Sequence, residues 1–153
     1  MKNAFREGIP SLSHRSKKFG TIYRDTVEGL RELLAVPAEY QMYFTGSATE
    51  IWERSIQNLV EKNSFHLVNG SFSKRYFEIA QQLNKNPGKY EVSAGLGVDI
   101  VPSIPSEAEL IAVTQNETST GVCTPLHIIS DIKRINPSAL LAVDAVSSLP
   151  YPD

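Results

Sequence analysis

Cysteine is almost missing from this chain: Cys123 stands alone among 153 residues. A single thiol rules out an internal disulfide and fits a reducing compartment, so a cytoplasmic protein is expected. Long apolar runs are also missing, and none approaches the roughly 20 residues of a membrane span. The opening stretch MKNAFREGIPSLSHRSKKFG has no apolar core of the kind a secretory signal carries. Excess charge of one sign is missing too. Fifteen basic and 17 acidic residues leave a net charge of -2, which makes no electrostatic case for nucleic acid or an anionic membrane surface. The chain has neither the G-x-x-x-x-G-K-[ST] of a Walker nucleotide site nor the G-x-G-x-x-G of a standard dinucleotide site. It has no internal repeat and no low-complexity segment. What remains is a soluble chain of ordinary globular composition and of a length suited to one domain.

The periodicities that are present alternate in kind. Apolar residues at Phe19, Ile22, Tyr23, Val27, Leu30, Leu33 and Leu34 mark one face of a helix over 16–35, closed by Pro37. The apolar-aromatic run QMYFT predicts a strand over 41–45. GSATEIWERSIQNLVEK, 46–62, reads as a helix opened by small polar residues. SFHLVN, 64–69, reads as a strand, and Gly70-Ser71 opens a helix to about Leu83. NKNPGK, 84–89, predicts a turn, and YEVSAG a strand before a Gly- and Pro-punctuated loop to Ser106. ELIAVT, 109–114, is a strand, and TPLHIISDIKRI, 124–135, a helix with Pro125 in its first turn. ALLAVD, 139–144, is the last strand. Strands alternating with helices, several of them continuous apolar runs, predict an α/β fold with a mainly parallel sheet flanked by helices.

In such sheets, ligands bind beyond the carboxyl ends of the strands. Four polar stretches fall there: Gly46-Ser47-Ala48-Thr49, Gly70-Ser71-Phe72, Asn116-Glu117-Thr118, and Asp144. The first has two readings. Its small residues leave N–H groups open at a helix N-terminus, where the dipole favours a phosphate. Equally, Ser47 and Glu50 form an ordinary capping box. Asp144 is either a turn former or a site residue: a metal ligand, a ribose acceptor, or the partner of a protonated ring nitrogen. No carboxylate or histidine adjoins it, so no metal site is expected. His14 and Arg15, with Lys17 and Lys18 nearby, are either a solvated turn or an anion site. His66, His127, Cys123 and Trp52 read as core or surface residues rather than ligands.

Together these residues resemble the phosphoserine aminotransferase family and its class V relatives among the fold type I pyridoxal-phosphate enzymes. SHRSKKF is similar to the family's Ser-His-Arg segment, GSATEIW to its cofactor-phosphate loop, and NGSF to the stretch whose aromatic residue covers the cofactor ring. NETSTGV is similar to its Asn-Glu-Thr-x-x-Gly stretch, and VDAVSSLP to its aspartate strand. The order and spacing of all five agree across most of the chain.

The resemblance implies pyridoxal 5′-phosphate as cofactor. Ser47, Ala48 and Thr49 would hold its phosphate, Phe72 would stack on its ring, Thr118 would bond its phenolic oxygen, and Asp144 would pair with its ring nitrogen. His14 and Arg15 would bind the substrate's phosphate or carboxylate, across a homodimer interface. The implied reaction is transamination of small amino acids and keto acids: phosphoserine with 2-oxoglutarate to 3-phosphohydroxypyruvate and glutamate, in serine biosynthesis. Alternatives are an alanine– or serine–glyoxylate enzyme of the same class, or a non-catalytic binding module. The family's Schiff-base lysine lies beyond the aspartate strand. Here the lysines stand at 2, 17, 18, 62, 74, 85, 89 and 133, none after Asp144. Residues 1–153 are therefore expected to form part of a large domain, lacking the lysine-bearing strand and the C-terminal small domain, with no catalytic residue of their own.

Overall fold

The computed structural model describes residues 2–150. The described residues divide into two compact units, the first ending at Phe44 and the second beginning at Thr45. In the first unit, α1 (Lys2–Arg6) and a short 3-10 turn (Ile9–Ser11) precede α2 (Lys17–Leu33). Ser16 caps α2, its hydroxyl accepting the Phe19 N–H at 3.1 Å. Beyond α2 the chain folds back. Arg31 donates to the carbonyls of Val36 at 3.2 Å and Tyr40 at 2.8 Å, and also meets that of Pro37.

The segment 41–45 is not the strand its composition predicts; it is irregular and pairs with no other backbone. One of its aromatic residues, Phe44, packs on α2 instead. Phe44 meets Tyr23 edge-to-face at 5.4 Å, and the Tyr23 hydroxyl donates to the Met42 carbonyl at 3.4 Å. β-propensity reports a liking for half-buried surface, and here a helix supplies that surface.

The second unit is a four-stranded sheet with helices on its faces. Its order is β2 (Asn86–Glu91), β1 (Asn63–Val68), β3 (Leu110–Thr114), β6 (Leu140–Asp144), and every pairing is parallel. The central β1 and β3 are buried almost throughout, as their unbroken apolar runs require. The outer β2 and β6 are only partly covered. Alternate side chains divide the core in two. On one face Phe65, Leu67, Ile111 and Val113 pack with Ile128, Ile129 and Ile132 of α5 (Leu126–Ile135). On the other, Leu110 and Ala112 pack with Trp52 and Ile56 of α3 (Ala48–Leu59) and with Tyr76, Ile79 and Ala80 of α4 (Ser71–Gln82). Each fully buried aliphatic side chain contributes about 1.5–3 kcal/mol.

Two further expectations change. NKNPGK is mostly not a turn: β2 already starts at Asn86, runs through Pro87 and Gly88, and ends at Glu91 instead of continuing through YEVSAG. Pro87 is tolerated because β2 lies at the sheet edge. Gly88 is required by its neighbour, since a Cβ there would stand 2.9 Å from the Phe65 ring. Pro125 caps α5 from just outside rather than occupying its first turn. NETSTGVC also holds a small antiparallel ladder unforeseen in the sequence: β4 (Asn116–Glu117) paired with β5 (Val122–Cys123). No described helix is long and apolar enough to cross a membrane.

Candidate functional site

The carboxyl ends of β1, β3 and β6 open onto the face that carries α3 and α4. A cavity of about 140 Å³ lies there, lined by Thr49, Phe72, Thr114, Asn116, Thr118 and Asp144, among others. It shares Ala48, Trp52, Asp144 and Val146 with an adjoining cavity of about 460 Å³, which Ser47, Ser55 and Tyr76 also line. A larger cleft of about 710 Å³ sits at the amino ends of β1 and β2. None of the buried polar atoms left without a partner lines it, whereas Thr114 lines the smaller cavity at the carboxyl ends.

Ser47 caps α3, its hydroxyl accepting the Glu50 N–H at 3.2 Å. Glu50 reaches back to the Gly46 N–H at 2.9 Å, one residue earlier than a standard capping box. The capping reading of this stretch holds in a shifted form. The caps leave the N–H groups of Ala48 and Thr49, at the start of α3, without a partner among the described residues. The Glu50 carboxyl is held below the usual range, first by the Gly46 N–H and then by Arg54, whose guanidinium stands 2.8 Å away. Glu50 therefore adds a matched charge rather than a bare one beside those free donors.

Asp144 ends β6 half-buried, in register with Thr114 on β3. One carboxylate oxygen accepts the Val146 N–H at 3.1 Å. Burial raises the Asp144 carboxyl above its ordinary range; the Val146 N–H opposes this, and the Glu117 charge adds to it. No cation of the described residues pairs with Asp144, so its preferred neighbour is a positively charged or N–H-bearing ligand. Trp52 and Tyr76 stack at 5.4 Å and 15° behind the site, and the Tyr76 hydroxyl meets Ser55 Oγ at 2.6 Å.

Phe72 presents a partly exposed ring to the smaller cavity, and its position is set by Glu117, a residue the motifs include but give no role. Glu117 is wholly buried. One of its oxygens accepts the Ser73 N–H and hydroxyl, both at 2.9 Å. The other accepts the Phe72 N–H at 3.3 Å and the Ser119 hydroxyl at 2.6 Å. Ser119 Oγ in turn accepts the Ser71 N–H at 2.9 Å. The loop after β3 thus satisfies the first three N–H groups of α4, a task that usually falls to a residue just ahead of the helix. Burial acts to raise the Glu117 carboxyl, but the bonds from Ser119, Ser73 and Phe72 together outweigh it and hold it below its ordinary value. Gly70 makes the approach possible: a Cβ there would stand 2.6 Å from Ser119 Oγ and nearer still to the Glu117 side chain.

Thr118 sits beside Glu117, exposed at the rim of the same cavity. Asn116 ties this loop to the one after β6, donating to Ser147 Oγ at 3.1 Å, while the Ser147 hydroxyl donates back to the Asn116 carbonyl at 3.1 Å. The fold therefore brings Ala48, Thr49, Phe72, Thr118 and Asp144 to one cavity and Ser47 to the adjoining one. His14 and Arg15 belong to the first unit, exposed on the turn before α2, where the Arg15 N–H donates to Ser13 Oγ at 3.2 Å. Cys123 is exposed, near enough to Gln115 to accept its amide N–H at 3.1 Å. Among the described residues no lysine lines either site cavity, and no three His, Cys, Asp or Glu side chains gather as a metal site would require.

The fold is shared with known proteins. A solved phosphoserine aminotransferase from Cytophaga hutchinsonii is 50% identical, with a TM-score of 0.93 over 98% of this chain and 42% of its own. An aspartate aminotransferase from Thermus thermophilus is 26% identical, with a TM-score of 0.73 over 90% of this chain and 40% of its own. A phosphoserine aminotransferase of Rhodococcus opacus is 31% identical over 136 residues, which are 88% of this chain and 35% of that protein. This chain thus spans well under half the length of these relatives. The family described as aminotransferase class-V matches residues 2–151, and the chain belongs to that family.

Proposed function

We propose that this chain forms part of the cofactor-binding large domain of a pyridoxal-phosphate-dependent aminotransferase. The carrying observation is Asp144: a half-buried carboxylate with no cationic partner, lining one cavity with an aromatic ring and a helix N-terminus. The donor set fits the cofactor. The free N–H groups of Ala48 and Thr49, with the hydroxyls of Ser47 and Thr49, suit a phosphate monoester at the positive end of α3. Phe72 offers an apolar face to a ring and Thr118 a hydroxyl to a phenolic oxygen. Asp144 matches a protonated pyridine nitrogen.

When bound, the cofactor supplies an electron sink for the carbanion left when an amino acid loses its α-proton. The residues of this chain bind and orient. Asp144 stabilises the protonated ring nitrogen, Phe72 keeps water from one ring face, and the start of α3 holds the phosphate.

The substrate pair favoured is phosphoserine and 2-oxoglutarate, giving 3-phosphohydroxypyruvate and glutamate. This rests on the Ser-His-Arg segment and on relatives named phosphoserine aminotransferases. His14 and Arg15 would bind the substrate anion, for which the planar guanidinium is suited. A homodimer in a reducing compartment completes the reading. Titrating this chain with pyridoxamine 5′-phosphate, followed by ligand fluorescence, tests it: saturable binding is expected, with a loss of roughly tenfold or more in Asp144→Asn. Failure of the unsubstituted chain to bind refutes the cofactor assignment. Rates with phosphoserine, alanine and serine, measured on the protein of the complete gene, test the substrate, and a preference for glyoxylate as acceptor overturns it.

A further inference from the structure

Thr114 holds a buried hydroxyl that the fold itself does not use. The residue ends β3, is only 4% exposed, and its Oγ1 has no hydrogen-bond partner among the described residues. An unpaired buried hydroxyl is costly and uncommon. Its position explains why it is kept. Thr114 is the cross-strand neighbour of Asp144 in a parallel ladder, so both side chains leave the same face of the sheet. Both line the cavity that Phe72 and Thr118 also line. A carboxylate offers about four lone-pair sites, and in Asp144 one of them takes the Val146 N–H.

We propose that Thr114 is a positioning residue for Asp144: with a cationic ring seated in the cavity, its hydroxyl donates to the Asp144 carboxylate and holds it ionised and aimed at the ring nitrogen. The inference rests on the cofactor reading above. It adds a residue that none of the motifs singled out, one that works through Asp144 rather than on the ligand. The other three buried unpaired groups are placed differently: His66 packs among core aromatic rings, Asn69 lines a separate cavity of about 310 Å³, and Gln115, whose amide N–H meets Cys123 Sγ, lines neither site cavity.

The test uses this chain, with pyridoxamine 5′-phosphate as probe and the variants Thr114→Val and Thr114→Ser. Valine keeps the shape and removes the hydroxyl. Without ligand, Thr114→Val should melt at or above the temperature of the unsubstituted chain, because it removes a polar group that had no partner. With the probe, Thr114→Val should bind about tenfold more weakly, the loss of one hydrogen bond to a charged group. Its affinity should also begin to fall at higher pH as the solution is acidified, because Asp144 protonates more readily without its donor. Thr114→Ser should bind nearly as the unsubstituted chain does. Equal affinity in Thr114→Val, an unmoved acid limb, no rescue by serine, or a lower melting temperature without ligand each overturns the proposal. Binding lost in Asp144→Asn but indifferent to Thr114→Val overturns the role of Thr114 alone; no binding by the unsubstituted chain overturns the cofactor reading with it.

Discussion

Mild acid should weaken this fold through one side chain, His66. The imidazole is fully buried in β1, with Nε2 2.9 Å from Ser64 Oγ and Nδ1 without a partner. The rings of Tyr76 and Phe77 close over it edge-to-face at 5.3 and 5.7 Å. Burial lowers its pKa from 6.5 to about 4. The sign follows from the proton count: below 6.5 the unfolded chain takes up a proton that the folded chain refuses until about 4, so stability falls as pH falls through this window. At about 1.4 kcal/mol per pH unit of separation, the whole effect is about 3 kcal/mol. Between pH ~7.5 and ~5.5 the expected share is about 1.3 kcal/mol. That window lies above the carboxylate range, which isolates the histidine. Urea unfolding at the two pH values measures it, read as a change in the transition midpoint at constant slope. His66→Leu should abolish the pH dependence whatever its own stability. A flat profile in the unsubstituted chain, or an equal slope in His66→Leu, refutes the reasoning.

Other expectations concern the Glu117 junction, the core and the sheet edge. Gly70→Ala should destabilise by about 1–3 kcal/mol through overpacking, measured by denaturant midpoint, since the new methyl group would displace Glu117 and Ser119. Glu117→Gln should cost about 1–3 kcal/mol by leaving α4 donors unmatched. Because the Glu117 carboxyl is depressed in the fold, its contribution is present above the usual glutamate range and is lost as pH falls below it, and Glu117→Gln should lack that acid limb. Ile132→Ala, at a fully buried position, should cost about 2–5 kcal/mol in the same assay. Leu140→Lys, on the half-exposed outer strand, should raise the concentration at which the chain aggregates, as followed by light scattering.

The sheet was legible wherever burial alone decides. SFHLV and LIAVT, apolar on both faces, are the two central strands, and the helical periodicities of α2 to α5 survive to within a few residues. The errors share a cause: local composition cannot see a neighbour. Phe44, in the segment 41–45, found a helix instead of a strand. Pro87 and Gly88 look like turn residues until an edge tolerates the one and the Phe65 ring demands the other. The grouping of Thr49, Phe72, Thr118 and Asp144 around one cavity was legible through small motifs at strand ends, which parallel topology gathers without further instruction. Glu117 and Thr114 were not. The loop motif contains Glu117 and an apolar strand ends at Thr114, but neither pattern says what these side chains meet; the folded register shows that one closes a helix and the other lies beside Asp144.

Pro87 carries a consequence for how this sheet grows. Asn86 and Val92 donate their N–H groups inward, to Lys62 and Val68, and strand alternation then turns the N–H positions of 87, 89 and 91 outward. One of those three is a proline and has no hydrogen to give, and the other two residues carry a lysine–glutamate ion pair along the same rim. An incoming strand would meet a broken row of donors beside a charged fringe. The β6 side has neither obstacle, because Leu141 and Val143 point ordinary amides outward from a bare apolar rim. The β2 edge is thus closed to a further strand by its own residues, whatever helix or loop lies over the faces of the sheet.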